Sequence, residues 1–316
     1  YISFFPQLIA GPIVKYRDIN EQLIRRNENI VQTAEGMRRF IFGLSKKVVI
    51  ADTMAVTVDR IYSAASRQIN APVAWLGAVA YMLQIYYDFS GYSDMAIGLG
   101  KIFGFEFKEN FRYPYVAAGM KDFWKRWHIS LTDWFWEYLY IPLGGNRRGR
   151  VRTGINKMII FTCTGFWHGA EWTFIAWGLY HGMFQILEDY LPGIRRVPRL
   201  LLHIYTICVV CVGFVLFRAE SLTQSVFILK SMFVRFTASQ EAMSFLWQFL
   251  HPWFLTMFVT GILGMGLVQN AWKKVGKKLA RFRTEGIKYG LSVGLLLLCI
   301  LRLSGSTYHP FIYFRF

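Results

Sequence analysis

The feature that most constrains this chain is a series of apolar runs of membrane-spanning length, set between clusters of Lys and Arg. A helix needs about 20 mainly apolar residues to cross a hydrocarbon core. Leu200–Phe217, Leu250–Val268 and Ile287–Leu303 meet that need best. Ala71–Phe105 is long and aromatic but interrupted by Gly and Asp, and Ile155–Phe166 pairs with Trp172–Leu187 around a short polar break. Phe40–Tyr62 is apolar yet carries Lys46, Lys47 and Asp52, which predicts a tilted or interfacial helix. With 54% hydrophobic and only 17% charged residues in 316, the composition excludes a disordered chain and argues against an ordinary soluble enzyme. The expected fold is all-α: a single multi-spanning membrane domain over 1–316, its partner a lipid bilayer.

A net charge of +17 could suggest nucleic acid. Its distribution argues otherwise, because basic residues between apolar runs are the excess that cytosolic loops carry. The cluster from Lys273 to Lys288 joins two good spans and is predicted to be cytosolic, as is Arg147, Arg148, Arg150 and Arg152. Tyr1-Ile2-Ser3-Phe4-Phe5 has no signal-peptide character and reads as the tail of an apolar helix, so further membrane segments are expected upstream. Cys163, Cys208, Cys211 and Cys299 lie in apolar stretches, which favours helix packing over disulfides or zinc.

Phe105–Arg150 fits neither a span nor a solvated loop, since it mixes charges with Trp124, Trp127, Trp134, Trp136, Tyr138 and Tyr140. It is expected to be interfacial or re-entrant, with aromatics at headgroup depth and polar groups turned to a cavity. Polar side chains at membrane depth are costly and need a partner or a task. Asp88 and Asp94 are either carboxylates of an ion path or braces for the re-entrant segment, bracing being favoured.

Among six histidines, His203 and His251 sit at span ends and read as structural, while His309 in a terminal turn is uninformative. His168 stands out, in Trp167-His168-Gly169-Ala170-Glu171-Trp172 between two apolar segments. Gly169 and Ala170 leave room beside the ring, and Trp167 and Trp172 are expected to wall a dry pocket that keeps it neutral and able to act as a base. The plainer alternative is a histidine hydrogen-bonded between helices. His128 is the second candidate, and it could approach His168 if the re-entrant segment folds back. His181, 13 positions beyond His168, would lie roughly 20 Å away on a continuous helix. No nucleophile elbow, Walker loop, dinucleotide fingerprint, His-Glu-x-x-His pair or internal repeat is present. No metal site is expected.

An ordered set of motifs then resembles one family. Phe5-Pro6-Gln7-Leu8-Ile9-Ala10-Gly11-Pro12-Ile13 is followed by Gly43-Leu44-Ser45-Lys46-Lys47-Val48-Val49-Ile50-Ala51-Asp52 and Asp88-Phe89-Ser90-Gly91-Tyr92-Ser93-Asp94-Met95-Ala96-Ile97-Gly98. Trp127-His128-Ile129-Ser130-Leu131, Tyr138-Leu139-Tyr140-Ile141-Pro142-Leu143-Gly144-Gly145, Trp167-His168-Gly169-Ala170 and Trp177-Gly178-Leu179-Tyr180-His181-Gly182 come next. Phe311-Ile312-Tyr313-Phe314-Arg315-Phe316 ends the chain. Together they resemble the membrane-bound O-acyltransferases, in the branch of bacterial alginate O-acetyltransferases.

The resemblance implies a tunnelled helical enzyme of the bacterial inner membrane that moves an acyl group from a cytosolic thioester toward an extracytoplasmic hydroxyl. His168 matches the family's catalytic histidine and His128 its second active-site polar residue. Acetyl-CoA is the implied donor, as a substrate rather than a resident cofactor. An extracytoplasmic acetyltransferase or polysaccharide-synthesis proteins are the implied partners. The arginines 147, 148, 150 and 152 read either as topology alone or as ligands for the donor's phosphates. An Arg-Asp pair expected in this branch is replaced by Trp136-Glu137, and Arg315 stands where Gln is expected. The rivals are a D-alanyl transferase acting on teichoic acid and a polysaccharide transporter or scaffold.

Overall fold

The computed structural model describes residues 5–8, 11–26, 29–191, 193–266, 284–305 and 311. Regular structure among them is helical, without strands. The chain opens with α1 (Tyr16–Ile24) and α2 (Ile30–Ser45), passes a π-helical turn at Lys46–Ala51, and continues as α3 (Asp52–Tyr62). Next comes α4 (Ala71–Ile102), started by Asn70, whose side chain accepts from the Val73 N–H at 3.2 Å. Its 32 residues form a pillar buried over most of its length, about 48 Å long. The Gly and Asp residues do not interrupt it.

Glycines let α2 and α4 touch. A Cβ on Gly36 would lie 2.6 Å from the Gly98 carbonyl oxygen, and one on Gly43 would lie 2.5 Å from that of Gly91. The same close approach is what small residues provide between membrane helices generally. Beside these contacts the charges of α2, α4 and the π-helical turn pair with one another. Lys47, buried, pairs with Asp52 at 2.7 Å and Asp88 at 2.9 Å. Lys46 reaches Asp94 at 2.5 Å, and Arg39 bridges Asp94 at 2.8 Å to Glu109 at 2.5 Å. Glu109 belongs to the segment after α4, so Asp94 does brace that segment.

Two short helices follow, α5 (Met120–Trp124) and α6 (Ile129–Phe135), with a second π-helical turn at Trp136–Tyr140. Helices α7 (Gly149–His168) and α8 (Trp172–Tyr190) form an antiparallel hairpin. They too meet through glycine: a Cβ on Gly165 would strike the Phe174 carbonyl at 2.5 Å, and one on Gly178 that of Phe161 at 2.3 Å. Helix α9 (Arg199–Arg218) packs on both α8 and α4. Then come α10 (Leu222–Val234), α11 (Gln240–Trp247), α12 (Pro252–Gly264) and α13 (Thr284–Ser304).

Among the described residues Arg199–Arg218 and Gly286–Ser304 are long and apolar enough to cross a membrane. The span expected at Leu250–Val268 is instead part of a pair, α11 and α12, bent by 77°. Pro252 cannot continue a helix from its N-terminal side, and His251 caps the new one by accepting from the Phe254 N–H at 3.2 Å. The basic cluster at 273–283 lies outside the described residues, as do His309 and Arg315. All four cysteines are free; Cys208 is exposed and Cys211 buried on α9.

Candidate active site

The segment from Phe105 to Arg150 folds into the molecule. Trp124 and Trp127 are core residues rather than headgroup anchors: Trp127 packs on Phe111 at 5.1 Å, Phe123 at 5.6 Å and Phe214 at 5.2 Å. Trp136 and Tyr138 are each about half exposed, and Trp136 also lines the cavity described below. Glu188 holds α5 in place by accepting from the Met120 N–H at 2.5 Å, and Thr206 of α9 accepts from the Gly119 N–H at 2.7 Å. Glu137, where the resemblance leads an Asp to be expected, forms an ion pair with Lys15 at 2.5 Å and with Arg17. Those hydrogen bonds hold its carboxyl below the usual glutamate range.

His128 begins α6 in the left-handed region, at φ 45°. That conformation is uncommon for a residue with a Cβ, and it persists only where neighbours over-determine it. Asn110, fully buried, supplies the constraint. Its carbonyl accepts from the Ile129 N–H at 2.9 Å, and its side-chain Oδ1 accepts from the Ser130 N–H at 3.2 Å and Ser130 Oγ at 2.9 Å. His128 Nδ1 meets the same Oδ1 at 3.3 Å. The ring stands edge-on to Phe89, with centroids 4.6 Å apart.

His168 is the last residue of α7, where Gly169 at φ 153° turns the chain back. A Cβ on Gly169 would meet the Phe174 ring at 2.7 Å, so glycine is required there for space as well as backbone. The pocket walls differ from expectation. Trp167 and Trp172 are 55% and 71% exposed; the aromatics against His168 are Trp177 at 5.3 Å and Phe217 at 5.1 Å. Adjacent helical residues point about 100° apart, so Trp167 cannot share the inward direction of His168. His181 is likewise closer than a continuous helix allows. The hairpin brings both histidines against Trp177, His181 at 5.1 Å from that ring.

His128 and His168 line one cavity of about 700 Å³. Small-molecule sites are typically about 300–1,000 Å³. One face of α7 runs along it: Arg150, Thr153, Gly154, Lys157, Ile160, Phe161, Thr164 and His168. The histidine end is buried, whereas the far end is exposed and cationic, with Lys121, Lys125, Arg150 and Lys157 around a single acid, Asp189. Lys121 and Lys157 both donate to Asp189. Of the four arginines singled out in the sequence, only Arg150 lines the cavity. Arg147 and Arg148 are exposed ahead of α7, and Arg152 lies off its cavity face. The three lysines, Asp189 and Asn110 were missed. Stepping back from His168 by helical turns would have found Lys157 and Arg150; nothing in the sequence pointed to Asn110.

The family model for membrane-bound O-acyltransferases matches residues 1–233. This chain belongs to that family. As a membrane-bound O-acyltransferase it is similar to a probable alginate O-acetylase of Pseudomonas putida, 38% identical over all of this chain and 68% of the relative. A peptidoglycan O-acetyltransferase of Helicobacter pylori is 42% identical over 73% of this chain and 45% of its own length. A teichoic acid D-alanyltransferase of Streptococcus thermophilus is 28% identical over 60% of this chain and 49% of its own. The chain thus spans between 45% and 68% of these relatives. Family and fold together make it an all-α membrane acyltransferase.

Proposed function

We propose that this acyltransferase moves an acetyl group from acetyl-CoA in the cytosol to an extracytoplasmic polysaccharide such as alginate. It would act in the bacterial cytoplasmic membrane, with an extracytoplasmic acetyltransferase or polysaccharide-synthesis proteins as partners. The observation that carries the reading is one cavity lined by two buried histidines and, further along it, by a cationic cluster. Arg150 and His168 are 18 positions apart along α7, about 27 Å of helix. A donor with phosphates at one end and a thioester at the other matches that separation of charge and base. The greater identity to O-acetylases than to the D-alanyltransferase favours acetyl over D-alanyl transfer.

His168 takes the proton of the acceptor hydroxyl as its oxygen attacks the thioester carbonyl carbon. The tetrahedral intermediate collapses, the C–S bond breaks, and the leaving thiolate recovers the proton from the imidazolium. His128 orients the acceptor hydroxyl beside it. Lys125, Arg150 and Lys157 attract the donor's phosphates. The test is transfer of labelled acetyl from acetyl-CoA to polymer in membranes carrying the protein and its partners. Labelled ester that disappears with His168→Ala is expected. D-alanyl ester, or none with an active partner set, would overturn the reading.

A further inference from the structure

The geometry points to Asn110 as a positioning residue that fixes the tautomer of His128, leaving Nε2 with the lone pair, so that His128 works in the cavity as a hydrogen-bond acceptor. The orientation of the Asn110 amide is not ambiguous. A backbone N–H can only donate, and the Ser130 N–H lies 3.2 Å from Oδ1, so that atom is the oxygen. The amide nitrogen then points the other way, to Ser93 Oγ at 3.1 Å. An oxygen that already accepts from Ser130 N–H and Oγ has no proton to give. At 3.3 Å from it, His128 Nδ1 must therefore carry the hydrogen. In a neutral imidazole one nitrogen bears a hydrogen and the other accepts. Nε2 is the acceptor.

The backbone agrees with the side chain. The Asn110 carbonyl and Oδ1 together grip the Ile129 and Ser130 N–H groups, and with them the left-handed turn at His128. The same residue thus sets where the ring stands and which nitrogen is protonated. Phe89 covers one side of the ring, with centroids 4.6 Å apart.

The consequence rests on the acyl-transfer reading of this cavity. Neutral His128 cannot donate to a developing oxyanion through Nε2. It can accept from the acceptor hydroxyl and hold that oxygen for attack while His168 removes the proton. The roles of the two histidines are therefore different in kind.

The experiment is nitrogen NMR of the full chain, in lipid nanodiscs, with histidine labelled by ¹⁵N at both ring positions and the His128 signals identified by their loss in His128→Gln. Wild-type protein should show His128 with a protonated Nδ1 and an unprotonated Nε2. The opposite tautomer, or an equal mixture, overturns the proposal whatever the enzyme's activity. Transfer assays supply the second arm. Asn110→Leu should lower kcat on the order of 10²-fold and lose the tautomer signature, while Asn110→Asp, which keeps an acceptor at Oδ, should restore most of both. An Asn110→Leu protein that folds and retains both the signature and kcat also overturns it. The NMR arm needs no turnover, so a protein with the expected tautomer but no acetyl transfer would count against the acetyl-transfer reading alone.

Discussion

The α2–α4 pair and the α7–α8 hairpin are built alike and used differently. Both are antiparallel helix pairs drawn together by glycines whose Cβ positions would collide with the opposing backbone. Both carry ionisable residues at depth. In α2–α4 the charges are spent on one another: Lys47 on Asp52 and Asp88, Lys46 and Arg39 on Asp94. Along α7–α8 the ionisable side chains share a cavity wall, from Arg150 and Lys157 up to His168, even where Lys157 pairs with Asp189. A polar group at membrane depth signals chemistry only when its surroundings leave space for a substrate. Ion pairing without such space marks a brace.

The sharpest break of that contrast is His168→Ala against Lys47→Met. His168→Ala should lower acetyl transfer by about 10² to 10⁴-fold, as general-base loss does, with an unchanged thermal midpoint; wild-type turnover would remove the residue from the chemistry. Lys47→Met should do the reverse. Removing one partner of a buried ion pair costs about 3–5 kcal/mol, so the midpoint in detergent should fall steeply while turnover per folded molecule holds. An unchanged midpoint would show that Lys47 does not brace.

The glycine contacts give a smaller effect of the same sign. Gly43→Val must push α2 from the Gly91 carbonyl, and overpacking of that kind costs about 1–3 kcal/mol; equal thermal midpoints for variant and parent would mean the helices part without strain. The cationic mouth comes next. Arg150→Gln with Lys157→Gln should raise the KM for acetyl-CoA several-fold, more at low salt than at high, because exposed charges are screened within about 10 Å at 0.1 M. Arg147→Gln with Arg148→Gln, outside the cavity, should leave it alone. Equal effects from the two pairs would return the whole cluster to topology.

The smallest effect belongs to Glu137. Lys15 and Arg17 stabilise its carboxylate and lower its pKa from the ordinary 4.5. A depressed folded pKa means stability that is present above the unfolded value and lost as pH falls through the folded one. Parent and Glu137→Gln should therefore differ in thermal midpoint at neutral pH and converge in acid. A difference that persists in acid would assign the effect to packing.

Helix content was legible because apolar runs of spanning length leave few alternatives, and the starts of α9 and α13 fall within a few residues of the runs that announced them. The bend before Pro252 and the exposure of Trp167 were not, since each depends on a direction set by neighbours. The motif around His168 could be read locally, as small residues following a histidine between two apolar segments. Its true walls, Trp177 and Phe217, come from two other helices.

By itself the sequence determined that this chain is helical and that it belongs in a bilayer, and it singled out two histidines that line one cavity. Those properties follow from hydropathy, charge distribution and local residue size, all short-range along the chain. The tertiary structure alone decided which charges are braces and which line the cavity, and it brought Asn110 to His128 across 18 positions. Pairing and cavity formation depend on how α4, α7, α8 and the folded-in segment meet, and burial makes a hydrogen bond or ion pair at that meeting matter far more than it would in water.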